Sequence, residues 1–186
     1  MLRPLSVAAV VLALMLPACA PGLDSPEARR TSAHNDTFLP YTEISSARFK
    51  IYAGRDILAF QLHARRDRKS GALTTHAQVL VGYHEKLGRR YETVRNDRAE
   101  ALAMRQLQHD GSGCRRDEGC QHVEQFLIDV PEAQLRAAIQ TGYRFKMFGR
   151  AGSESLFMVP AVAIQSLFQA VDGGAPRPVT AAKEAG

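Results

Sequence analysis

Histidines are the side chains in this 186-residue chain best suited to chemistry, and there are six of them. Imidazole is the commonest metal ligand, and it titrates near neutral pH. His63 and His76 flank the stretch Ala64–Thr75, which has the make-up of a hairpin. With Ser70-Gly71 as the turn, Arg65 faces His76 and His63 lies diagonally from it. With the turn slipped by one residue, His63 faces His76 directly. Either register places both rings on one wet sheet face, at most about 8 Å apart. His84 shares that face, but eight strand residues separate it from His76, about 26 Å. His34 falls in a polar N-terminal segment, and His109 and His122 flank a cysteine loop. Zinc takes three protein ligands in catalytic sites and four in structural ones. The spacing thus offers His63 and His76 as candidate metal ligands, shows no third, and predicts solvent-facing histidines. No cofactor is expected.

Other chemistry has less support in the residues. Gly152-Ser153-Glu154-Ser155 lacks the second glycine of a nucleophile elbow and lies between two strand patterns, so it reads as a turn. Asp117-Glu118 sits in a short polar ring, not in an enclosed site that would push two carboxyl pKa values apart. No phosphate loop or dinucleotide fingerprint is present. Arg65, Arg66, Arg68 and Lys69 make a basic hairpin tip, and Arg144, Lys146 and Arg150 add a basic stripe on another strand. Such cations could meet lipid headgroups, lipopolysaccharide phosphates or wall carboxylates. They would equally protect a solvated sheet edge from pairing. Phe49, Phe60, Phe126, Phe145 and Phe168 fall on apolar faces and read as core.

The three cysteines divide readily. Cys114 and Cys120 are flanked by Gly113 and Gly119 and enclose charged residues. An even pair in an oxidising compartment predicts a disulfide. Closing so small a ring is worth about 2 kcal/mol in loop entropy.

Cys19 ends a different pattern. Arg3 is followed by the apolar run Val7–Leu16 and by Pro17-Ala18. Leu5–Ala18 is shorter than the about 20 apolar residues that cross a bilayer. The ending Leu16-Pro17-Ala18-Cys19 resembles the lipobox of bacterial lipoproteins. That resemblance covers only the first 19 residues. It implies cleavage before Cys19, a diacylglyceryl group on that residue and an N-acyl chain, which together anchor stably. Ala20 in place of Asp implies outer-membrane sorting in enterobacteria-like systems.

The whole chain carries 24 Lys and Arg against 19 Asp and Glu. Losing Arg3 with residues 1–18 leaves a net charge near +4, which does not point to nucleic acid. Residues 19–40, rich in Pro, Ser and Arg, read as a flexible tether, and residues 172–186 as a disordered tail. A single domain over 41–171 remains.

Within it, alternation dominates. Phe49, Ile51 and Ala53 form one set, Leu58, Phe60 and Leu62 the next, and Ala77, Val79, Val81 and Tyr83 a third. A shorter strand includes Tyr91, Thr93 and Arg95. A strand over Ala101–His109 changes phase and calls for a bulge. Val123–Val130 reads as a central strand. Pro131-Glu132 opens a helix that Gly142 stops. Tyr143–Met147 and Leu156–Val159 pair around a turn, and Pro160 opens a second helix over Ile164, Leu167, Phe168 and Val171. The pattern predicts a mainly β, sandwich-like domain with two late helices, or alternatively an α+β layer with both helices on one antiparallel sheet. The expected role is a non-catalytic binding or scaffolding module on the periplasmic side of the envelope. Its partner would be an envelope protein, peptidoglycan or lipopolysaccharide. A periplasmic metal-handling protein or an enzyme assembled only in three dimensions is the alternative.

Overall fold

The computed structural model describes residues 31–115 and 119–173; residues 1–30, with Cys19 among them, and residues 174–186 lie outside them. The fold is mainly β, with two antiparallel sheets and two helices. The larger sheet contains β1 (Ser32–His34), β2 (Tyr41–Ser45), β3 (Phe49–Ala53), β4 (Asp56–Asp67), β5 (Leu73–Glu85), β8 (Met104–Arg115) and β9 (Gly119–Asp129). Its order is β1-β2-β4-β5-β9-β8, and β3 pairs with β4 beyond the end of β2. The smaller sheet contains β6 (Tyr91–Asn96), β7 (Ala101–Leu102), β10 (Tyr143–Gly149) and β11 (Glu154–Val159), ordered β11-β10-β6-β7.

The alternation read from the sequence sets the inner faces. Leu58, Phe60, Leu62, Ala77, Val79, Val81, Phe126 and Ile128 are buried from one sheet, and Val94, Phe145, Met147, Phe157 and Val159 from the other. Each large side chain removed from water in this way contributes about 1.5–3 kcal/mol. Helix α1 (Glu132–Ala137) buries Leu135, and α2 (Ala161–Asp172) buries Ile164, Leu167, Phe168 and Val171 at helical spacing against β2 and β4. A sandwich with helices packed at its side is realised, and the one-sheet alternative is not.

Three boundaries differ from the sequence reading. Ser32–His34, assigned to the tether, pairs with β2 through Ala33↔Ile44 and so belongs to the domain. Three polar-flanked residues carry no period of their own; the open edge of β2 selects them. At the other end Asp172, assigned to the tail, closes α2 and meets Arg136 at 2.9 Å. The stretch Ala101–His109 is not one strand. It leaves the smaller sheet as β7, crosses at Ala103 and joins the larger sheet as β8. The expected irregularity is present, as the register breaks between Gln106 and Gln108.

Two glycines close the loops tightly. Gly119 adopts φ +88°, and its neighbour Cys120 is disulfide-bonded to Cys114 across the β8–β9 connection. Gly142 follows α1 with φ +79°, and a Cβ there would lie 2.6 Å from the Val159 carbonyl oxygen. Left-handed backbone costs an L-residue about 1–2 kcal/mol before any clash. Gly142→Ala is therefore expected to lower the melting temperature by about 4–8 °C, measured by calorimetry.

Candidate functional site

The slipped register is the one that forms. Ser45, His63, His76 and Asp129 are successive Cα partners across β2, β4, β5 and β9, a single row on the outer face of the larger sheet. His63 Nδ1 lies 2.9 Å from both Glu43 Oε1 and Ser45 Oγ. His76 Nδ1 lies 2.9 Å from Asp129 Oδ1. His63 is not solvent-facing, as the sequence reading had it: only 9% of the residue is exposed. Strand β2 closes over it from the side, bringing Glu43 and Ser45 against the ring. Its Nε2 is buried without a hydrogen-bond partner. Burial lowers the His63 pKa below its ordinary value, against the opposing pull of Glu43. Burial works to raise the Glu43 carboxyl, but the Arg65 guanidinium and His63 outweigh it and hold it below the usual value.

The basic hairpin tip is mostly committed to internal contacts. Arg65 Nε donates to Glu43 Oε2 at 2.7 Å and its guanidinium covers the Tyr41 ring. Arg66 reaches the Val171 carbonyl at 3.1 Å, tying the hairpin to the end of α2. Arg68 donates to Asn35 Oδ1 and to the Asp36 carbonyl. Of the four, Lys69 stands at the exposed end, where its backbone N–H donates to Asp67. These cations act as struts, because a long hairpin leaning on two neighbouring segments leaves carbonyls that need donors.

Arg144 and Lys146 sit elsewhere, on the outer face of the smaller sheet. Lys146 has Arg95 and Leu156 as Cα partners, and Arg144 has Met158. Lys146 Nζ is 2.9 Å from Glu154, and Arg144 is 3.9 Å from Asp97. Leu156 is 49% exposed and Met158 56%. A shallow groove of about 360 Å³ runs beside them, lined by Arg95, Asp97, Arg144, Lys146, Phe148 and Leu156. The face is apolar at its edge strand and cationic behind it.

A third polar cluster was missed in the sequence. Glu124 is fully buried on the inner face, in phase with Phe126 and Ile128. Its carboxylate accepts hydrogen bonds from the Tyr83 hydroxyl, from Arg90 N at 3.3 Å and from Gln106 at 3.5 Å. His109 Nδ1 is 3.8 Å away. Burial, reinforced by Glu124, raises the Tyr83 pKa, so its phenol stays protonated and donates. Arg89 covers the Tyr83 ring and joins Asp56 and Glu85. The available signal was parity: an acid two residues before Phe126 falls on the buried side. Ser153 lies in the turn between β10 and β11, where its carbonyl accepts from Gly149, as the sequence suggested. Asp117 and Glu118 lie outside the described residues.

Comparisons with family profiles, with curated proteins and with solved structures return no match to this chain.

Proposed function

We propose that this chain is a lipid-anchored cell-envelope protein whose β-sandwich is a non-catalytic binding module. Leu16-Pro17-Ala18-Cys19 supports the anchor, and Ala20 supports the outer membrane as its address. One observation carries the binding role. Among the described residues, strand β11 is an open edge that exposes Leu156 and Met158, with Arg95, Arg144 and Lys146 behind it. An open edge offers main-chain hydrogen bonds to an added strand, and alternate side chains supply specificity. The occupant that fits is an extended segment of an envelope protein, apolar where it meets Leu156 and Met158 and acidic where it meets the cations.

A photocrosslinker replacing Val162, which is 41% exposed at the start of α2, tests this in cells. A discrete protein adduct is expected. Leu156→Glu with Met158→Glu should reduce its yield at least about 10-fold, the loss expected of central interface anchors. Both positions are exposed, so the melting temperature should stay within the scatter of ordinary surface substitutions. An adduct unaffected by both changes would remove the β11 face as the binding surface. An adduct with lipopolysaccharide or peptidoglycan alone would replace the protein partner.

A further inference from the structure

We propose that His63 and His76 form a two-imidazole binding site for a late first-row divalent cation, Zn2+ or Cu2+, on the outer face of the larger sheet. The inference is independent of the β11 binding face and begins with the two tautomers. An ionised carboxylate only accepts hydrogen bonds. Glu43 at His63 Nδ1 and Asp129 at His76 Nδ1 therefore select, for the neutral form of each ring, the tautomer with its proton on Nδ1. Each Nε2 is left as a lone pair.

The sheet order then fixes where those lone pairs point. β2 lies on one side of β4, and β9 on the far side of β5. The His63 ring turns its Nδ1 edge toward β2, and the His76 ring turns its Nδ1 edge toward β9. In an imidazole Nε2 lies on the side away from Nδ1, so this placement puts each Nε2 on the side of its ring that borders the β4–β5 seam. His63 and His76 are direct Cα partners, and Cβ atoms of such pairs lie about 4.5–5.5 Å apart. That separation lets both rings reach one ion at the usual Zn–N distance of about 2.0–2.1 Å.

Two lone pairs on one seam cannot satisfy each other. The buried, unpartnered Nε2 of His63 is the mark of that mismatch. A shared electrophile between the rings resolves it. Imidazole suits zinc and copper, and a ligating histidine almost always gives its other N–H to a carboxylate. Here both histidines do so. The Gln78 side-chain amide interacts with His63, and with its oxygen turned to the ion it would be a third donor. Turned the other way, its amide nitrogen would cap the lone pair and close the site. With two imidazoles and the remaining positions left to Gln78 and water, the ion would be exchangeable.

The test uses the full chain, extracted in detergent without a histidine tag, stripped with chelator and titrated with Cu2+ or Zn2+ alone. One equivalent is expected to bind saturably. His63→Ala and His76→Gln should each weaken binding at least about 10-fold, and Asp129→Asn, which removes only the orienting carboxylate, by about 10-fold. With Cu2+, electron paramagnetic resonance should show two coupled nitrogens in the parent and one in His76→Gln. If His63→Ala does not fold, the His76 and Asp129 variants carry the test, because Asp129 is 61% exposed and His76 lies on the outer face. Absence of saturable binding, or His76→Gln retaining the parent's affinity, would overturn the site.

Discussion

Cys19→Ser is expected to abolish the lipid-anchored mature form, leaving the protein either soluble in the periplasm or held as uncleaved precursor. On the proposed anchoring, the sulfur carries two acyl chains and the new amino terminus a third. Each buried methylene adds about 0.8 kcal/mol to membrane affinity, so one chain holds marginally and several hold stably. Serine cannot form the thioether, and without that modification the lipoprotein-type cleavage does not follow. The variant should accumulate as soluble periplasmic protein or as uncleaved precursor, separable by size. Fractionation after carbonate washing, with intact-mass analysis, reads both outcomes. A protein that stays in the membrane with an unmodified, processed terminus would remove the anchor and the envelope address with it.

Glu124→Ala is expected to destabilise the domain by about 3–5 kcal/mol. The substitution does more than delete a hydrogen-bond acceptor. It leaves the Tyr83 hydroxyl, buried away from solvent, without its acceptor, and takes the acceptor from the part-buried Arg90 N–H. Each stranded donor costs about 1–3 kcal/mol, and the missing carboxylate adds a void. A loss of this size lowers the melting temperature by roughly 10 °C in a domain of this length. Glu124→Gln keeps an amide oxygen for Tyr83 and should cost well under half as much. Chemical denaturation of the two variants side by side measures the ordering. An alanine variant as stable as the glutamine one would mean that the buried acid holds nothing together.

The elements that announced themselves in the sequence are those with a period of their own. The alternation of Leu58, Phe60 and Leu62 with the Ala77–Tyr83 set produced β4 and β5, and the helical spacing from Ile164 to Val171 produced α2. The Cys114–Cys120 bond followed from composition. What stayed hidden depends on partners distant in the chain. β1 is three residues recruited by the edge of β2, and no local pattern marks it. The division of residues 101–115 between two sheets is a decision of tertiary packing. Arg66 looked like a solvated tip residue because the carbonyl it serves, Val171, is 105 positions away.

The site was legible in part for the same reason. Both hairpin registers were visible, and the one that forms brings His63 against His76. Glu43 and Asp129, which orient the two rings, come from strands outside that hairpin. Spacing within the hairpin could not supply them. The sequence marks Leu156–Val159 only as the strand that pairs with Tyr143–Met147. The exposure of Leu156 and Met158 followed only once β11 was found at the rim of its sheet.

The smaller sheet ends very differently at its two edges. β7 borders it with two residues, Ala101 and Leu102, while β11 borders it with six residues in unbroken register. A newcomer strand could follow β11 along its length but would find almost nothing to pair with at β7. A sheet that accepts additions at both ends can grow into a filament, whereas one with a single compatible end is monovalent. On the proposed β11 contact, the protein would cap whatever it binds, giving one-to-one complexes and no chain of copies.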